Sequence, residues 1–259
     1  MSENILVERD GVIATVVLNR PDKLNAMTKR MWTDLGWAME ELSAADDLRC
    51  IVLRGAGGKS FSPGNDISEF ETQRSNPDQA KAYGEILQGA LWSIDDCRHP
   101  TVALIEGICV GGGLEIAALC DIRICGESSR FGVPINKLGL VMAYPEIEAL
   151  LKLVGRAATR SILLEGRVFG ADEAAAMGLV TRVVADGKVA GEAYDTARHI
   201  AEGAPLVARW HKKFLRRLED PRPLTETELD EGYACYGTED FRIGYTSFLG
   251  KKKPEFEGR

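Results

Sequence analysis

Short apolar runs and helical stripes alternate along this chain. Ile5 to Val7 and Val12 to Leu18 are apolar runs separated by Asp10-Gly11, a tight-turn pair, and predict a β-hairpin. A turn-rich loop, Asn19-Arg20-Pro21-Asp22-Lys23-Leu24-Asn25-Ala26, comes next. After Thr28, a plausible N-cap, Met31, Leu35, Met39 and Leu42 recur at helical spacing and predict an amphipathic helix to about Ala44. Cys50 to Leu53 reads as a buried strand that leads into the loops Gly55 to Ser60 and Phe61 to Ile67. A second helix is predicted from Asp78 to Asp95, with Tyr83, Leu87, Leu91 and Ile94 facing inward, and Pro100 introduces the strand Thr101 to Ile105. The order then repeats: a helix-like segment from Glu115 to Cys120, a strand Ile122 to Cys125, a turn, and an extended piece from Phe131 to Pro134. Helices are predicted from Pro145 to Val154, Ala157 to Leu164 and Asp172 to Met177, the last ended by Gly178 before a strand Val180 to Val184. From Lys188 onward the pattern is helical: Val189 to Ala201, Pro205 to Leu218, Thr225 to Cys235 and Asp240 to Leu249.

Strand, turn, strand and helix in succession predict a layered α/β architecture that winds along one axis. The compositional shift near residue 190 divides a mixed core, residues 1–190, from a helical C-terminal region, residues 191–259. With 259 residues, 45% of them hydrophobic, the chain is long enough for a substantial core. A net charge of −7 argues against nucleic acid or an anionic membrane surface as a partner. Met1-Ser2-Glu3-Asn4 has neither a basic n-region nor a long apolar h-region, so a cytoplasmic protein without a membrane partner is the expectation. The cysteines lie mostly in apolar surroundings without a paired CxxC pattern and read as buried reduced thiols. His99, His199 and His211 are scattered without ligand spacing, so no metal site is expected.

The stretch with the most chemistry is Val110-Gly111-Gly112-Gly113-Leu114-Glu115. Three glycines between a strand and a helix leave bare backbone, and the first amides of a helix lack internal partners, so the turn can stabilise an anion or a developing oxyanion. Glu115 follows in the first helical turn. Taken alone, such a triplet equally suits close helix packing.

These stretches closely resemble the crotonase superfamily, the enoyl-CoA hydratase and isomerase family. The match runs in order through Asn19-Arg20-Pro21, Leu24-Asn25-Ala26, Phe61-Ser62-Pro63-Gly64-Asn65-Asp66-Ile67, Gly111-Gly112-Gly113-Leu114-Glu115, Cys120-Asp121, Phe131-Gly132-Val133-Pro134, Leu138-Gly139, Val154-Gly155, Ala171-Asp172-Glu173-Ala174, Gly178-Leu179-Val180 and Phe248 to Lys253. The resemblance implies a spiral of ββα units with a helical C-terminal region that mediates trimer assembly, commonly as a dimer of trimers. It implies an acyl-CoA thioester substrate, coenzyme A being part of the substrate and no separate cofactor being required. The thioester carbonyl is then held by two backbone N–H groups, which map to Asn65 and Gly112. For the CoA portion, Lys23 and Leu24 map to the loop along the nucleotide, Pro63, Asp66 and Ile67 to the adenine pocket, and Phe248 and Lys251 to C-terminal positions that in several members come from a neighbouring subunit.

Hydratases of this family place two glutamates across the substrate double bond. The first maps to Glu115, the acid/base that positions water, whereas the second maps to Ile135, which cannot transfer a proton. Tyr144 and Glu146 enter where the family often has glycine. Tyr144 is a candidate acid or hydrogen-bond donor; Glu146 is either the missing carboxylate or a first-turn helix acid. The expectation is an enoyl-CoA hydratase-type lyase that stabilises an enolate. Decarboxylation, as in the methylmalonyl-CoA decarboxylase branch, enoyl-CoA isomerisation, and a CoA-binding scaffold with little catalysis are the alternatives.

Overall fold

The structure, a computed structural model, describes residues 3–259; Met1 and Ser2 of the N-terminal stretch lie outside the described residues. The Asp10-Gly11 turn joins β1 (Ile5–Asp10) to β2 (Ile13–Leu18) in antiparallel register, Asp10 opposite Ile13. Thr28 caps α1 (Lys29–Ala44), its hydroxyl accepting from the Met31 amide. Three ββα turns follow. The first is β3 (Cys50–Gly55), β4 (Ser60–Ser62), the single turn α2 (Phe70–Gln73) and α3 (Pro77–Asp95). The second is β5 (Thr101–Ile105), β6 (Ile108–Val110) and α4 (Gly112–Ala118). The third is β7 (Ile122–Gly126), β8 (Arg130–Gly132) and α5 (Tyr144–Glu165), the two helices read from the sequence merging around a break at Gly155.

In each turn the leading strand joins one sheet and the trailing strand another. The larger sheet has the order β1-β2-β3-β5-β7-β10, the smaller β4-β6-β8-β9, with β9 (Phe169–Gly170), α6 (Ala171–Ala176) and β10 (Arg182–Val184) closing both. The central strands β2, β3 and β5 of the larger sheet are almost wholly buried and largely apolar because both faces of the sheet are covered there. Val16, Leu18, Ile51, Leu53, Ala103 and Ile105 face the main core with α1 and α3, whereas Ile13, Val52, Val102, Leu104 and Ile124 face a second cluster. That second cluster is completed by Val189, Ala193, Ala197 and Ala201, an i, i+4 stripe on α7 (Val189–Glu202). Thus α7, although it lies beyond the compositional shift at residue 190, packs on the sheet.

The remaining helices are α8 (Pro205–Leu218), α9 (Glu226–Glu231) and α10 (Glu239–Leu249). The helix read from Thr225 to Cys235 is shorter: Thr225 and Glu228 cap its start, but Gly232 ends it and none of its residues is buried, so no packing carries it onward. The terminal arm is tied back by the Arg49 guanidinium, which donates to the carbonyls of Ala201 and Phe256. The cysteines are free and all but Cys235 are buried. Among the described residues no helix is long and apolar enough to cross a membrane, and no group of three or more His, Cys, Asp or Glu could hold a metal ion.

Candidate active site

The loop after β2 is fixed by a buried asparagine. Asn25 adopts a left-handed φ of 65°, accepts from the Arg20 amide at 3.0 Å and donates to the carbonyls of Ala56 at 3.0 Å and Ser60 at 2.7 Å. It thereby ties the loop to β4. Two residues beyond β4's Ser62, whose hydroxyl donates to the Asn25 carbonyl and accepts from the Gly64 amide, the chain reaches Gly64, followed by Asn65.

Met27 and Asn65 form an isolated parallel bridge: the Met27 amide donates to Gly64 O and the Asp66 amide to Met27 O, each at 2.8 Å. The peptide N–H of Asn65 therefore points the opposite way, into the cleft that Asn65 lines. Gly112, the first residue of α4, has no intrahelical acceptor for its N–H. Among the described residues neither amide donates to another backbone group. The two strand-to-loop passages touch here. A Cβ on Gly64, whose φ is +90°, would lie 2.5 Å from the Gly112 nitrogen, and one on Gly113 would lie 2.1 Å from Ser62 O, so both positions require glycine.

Trp32 on α1 supports both passages. Its indole N–H donates to Asn65 Oδ1 at 2.7 Å, and its ring stands where a Gly112 side chain would begin, 3.0 Å from that Cβ position. Tyr83 on α3 adds a longer bond from its hydroxyl to the same Asn65 oxygen, 3.4 Å, and both aromatic residues are fully buried. Trp32 stands at i, i+3 and i, i+7 to Leu35 and Met39, so helical periodicity accounts for its burial but gives no sign of this hydrogen-bonding role.

Glu115 is buried at a cleft of about 150 Å³ whose lining also includes Gly112 and the half-buried Asn65, Arg74, Ile135 and Glu146. Burial raises the pKa of Glu115 well above the ordinary carboxylate range, Glu146 raises it further, and Arg74 opposes both. Glu146 is raised as well, chiefly by its own burial, while the Ala143 N–H and Arg74 act the other way. The Arg74 guanidinium is seated over the rings of Phe70 and Tyr83, 4.8 and 4.9 Å from their centroids. No sequence signal marked Arg74, which follows α2 in a polar stretch without motif character. Two free amides converging beside a carboxyl group that readily holds a proton can stabilise an oxyanion and move a proton next to it.

The structure thus brings together Asn65, Gly112, Glu115, Pro63 and Ile67 of the residues expected from the sequence. Tyr144 is not among them: as the first residue of α5 it is 91% exposed, whereas Glu146, two residues on, turns into the cleft. The first helical turn explains the difference, because residues two apart lie on opposite faces. Asp66 sits behind the cleft with its carboxylate engaged by Ser68 and, at 2.9 Å, by Arg20; the Ser68 bonds foremost and then Arg20 hold its pKa low. Lys23 and Leu24 lie on the adjoining loop, Leu24 beside a shallow depression shared with Pro21 and Lys59. Phe248, 83% exposed, and Lys251 lie at the end of α10, away from the residues that line this cleft.

The model of the family described as enoyl-CoA hydratase/isomerase matches residues 8–259. The short-chain-enoyl-CoA hydratase of Clostridium acetobutylicum is 30% identical over 254 residues, 97% of each chain. The crotonyl-CoA hydratase of Syntrophomonas wolfei is 30% identical over 256 residues, 98% of each chain. The crystal structure of an enoyl-CoA hydratase/carnithine racemase from Magnetospirillum magneticum is 50% identical, with a TM-score of 0.98 over 100% of this chain and 97% of that one.

Proposed function

The chain belongs to the enoyl-CoA hydratase/isomerase family, and on that premise we propose that it hydrates the double bond of an enoyl-CoA thioester. The observation that carries this reading is the convergence of the Asn65 and Gly112 amides beside the buried carboxyl of Glu115. In hydration, water oxygen bonds to the β-carbon, the π electrons move onto the thioester oxygen, and a proton then reaches the α-carbon. The enolate oxygen is where charge develops. Two amides fixed by Asn25, Trp32 and the Gly64–Gly112 contact need no reorganisation to meet it, and loss of one such donor costs roughly 3–4 kcal/mol of transition-state stabilisation. Glu115 positions the water and takes its proton.

The CoA portion lies along Lys23, Leu24, Pro63, Asp66 and Ile67. Phe248 and Lys251 reach it from a second copy, in a homotrimer or a dimer of trimers. Exposed Tyr245, Phe248 and Leu249 on α10 support such an association. Light scattering on a sizing column tests it, a monomer being the refuting result.

Incubation of the purified protein with crotonyl-CoA, a 3-enoyl-CoA and methylmalonyl-CoA, with products identified by mass spectrometry, tests the reaction. The 3-hydroxyacyl-CoA is the expected product. Double-bond migration or loss of carbon dioxide in its place would transfer the same oxyanion hole to isomerisation or decarboxylation, and CoA binding without turnover would leave a scaffold.

A further inference from the structure

Hydration takes one proton from the water at the β-carbon and delivers one to the α-carbon, two transfers at different atoms that two carboxyls can divide between them. Ile135, which lines the cleft at the position where the family resemblance leads to a second carboxylate, offers no proton. Glu146 faces the same cleft from the first turn of α5. Its Oε2 accepts from the Ala143 N–H at 2.7 Å, which fixes the carboxyl at the end of the helix instead of leaving it in solvent. We propose that Glu146 is the second acid/base of this site, and that Glu115 and Glu146 share one proton which they exchange in each turnover. The proposal rests on the hydratase reading above.

The step balances. With Glu146 protonated and Glu115 ionised, Glu115 takes a proton from water as its oxygen bonds to the β-carbon, and Glu146 gives its proton to the α-carbon as the enolate collapses. The pair begins and ends with one proton, now on Glu115, and transfer between the two carboxyls resets it. Burial raises both carboxyls, and the charge of Glu146 raises Glu115 further, so the two lining one cleft resist ionising together. Arg74, the cation that opposes both shifts, offsets the single remaining negative charge. The two glutamates also form the wall between the cleft and a second cavity of about 400 Å³ behind it. The charged groups on that far side are Asp95, Asp121, Arg123, Glu148, Lys152 and Glu219. Both carboxyls therefore border a second space besides the one that holds the Asn65 and Gly112 amides.

Glu146→Gln keeps an acceptor for the Ala143 amide and so separates the proton role from the helix role. The expected result is a fall in kcat on crotonyl-CoA of roughly 100-fold or more with KM changed by less than about threefold. The pH profile of kcat should lose its bell shape, since one carboxyl cannot be acid and base at the same pH. A Glu146→Gln protein with the parent's kcat and bell-shaped profile overturns the proposal. If Glu115→Gln is inactive in the same assay, only the role of Glu146 has failed. If Glu115→Gln is also parent-like, or the parent itself does not hydrate crotonyl-CoA, the hydratase reading fails and this proposal with it.

Discussion

Asn65 combines two functions that a single substitution separates: its backbone supplies a proposed oxyanion donor, and its side chain holds that backbone in place. Asn65→Ala keeps the N–H but removes Oδ1, the acceptor for Trp32 Nε1 at 2.7 Å and for the Tyr83 hydroxyl at 3.4 Å. Trp32 is fully buried, so its indole N–H would be left without a partner in a dry interior. Stranding one such donor costs roughly 1–3 kcal/mol. For a chain of this size each kcal/mol lowers Tm by roughly 2–4 °C, which places the expected fall at roughly 2–12 °C. The effect on rate is bounded by complete loss of one donor, roughly 3–4 kcal/mol or 100- to 1000-fold in kcat. Because the amide survives and only its aim is loosened, we expect a kcat loss of about tenfold to 100-fold with little change in KM. Thermal melts by circular dichroism and steady-state loss of the enoyl-thioester ultraviolet absorbance measure the two effects. A variant within about 1 °C of the parent Tm and with unaltered kcat would refute the claim that the Trp32–Asn65 bond aims the amide.

Glu115 makes stability depend on pH. Its folded pKa is raised above the ordinary value of 4.5, so above that value the folded state holds a proton that the unfolded state has lost, and stability declines as pH rises until the folded pKa is passed. Each unit of upward shift corresponds to about 1.4 kcal/mol, so Tm curves of the parent and Glu115→Gln should separate in favour of the variant as pH rises; parallel curves would contradict the burial argument. Gly113→Ala places a Cβ 2.1 Å from Ser62 O, and a marked loss of soluble folded protein is expected, a parent-like melt being the contrary result. Tyr144→Phe should match the parent in kcat on every substrate turned over, because the ring is exposed; a tenfold or greater loss (about 1.4 kcal/mol) would return Tyr144 to the catalytic set.

Local signals in the sequence were readable where a short-range rule governs the backbone. Asp10-Gly11 turns the hairpin, Thr28 caps α1, the Tyr83-Leu87-Leu91-Ile94 stripe faces inward, and Gly178 ends α6. The helix read from Thr225 to Cys235 was overextended because periodicity without burial does not sustain a helix. Within the site, Asn65, Gly112 and Glu115 could be named in advance because they belong to an ordered set of motifs. Trp32 and Arg74 could not: one reads as an ordinary core aromatic of an amphipathic helix, the other as a charge in a featureless polar stretch.

Residue order alone specifies the alternation of strands and helices, the glycines that let two loops meet, and a family membership resting on many motifs in order. It offered Tyr144 as the catalytic candidate and Glu146 as a missing carboxylate or a first-turn helix acid, since nothing in the local pattern says which of two residues in one helical turn faces the cleft. The direction each side chain takes is set by how α5 packs. Setting α5 across the cleft sends Glu146 inward and Tyr144 to solvent, and winding the ββα units brings Gly64 against Gly112 and Trp32 against both loops. The physical reason is that hydrogen-bond and charge partners far apart in the chain are defined only once the core fixes the elements that carry them. Side-chain direction, burial and electrostatic coupling are therefore properties of the packed fold.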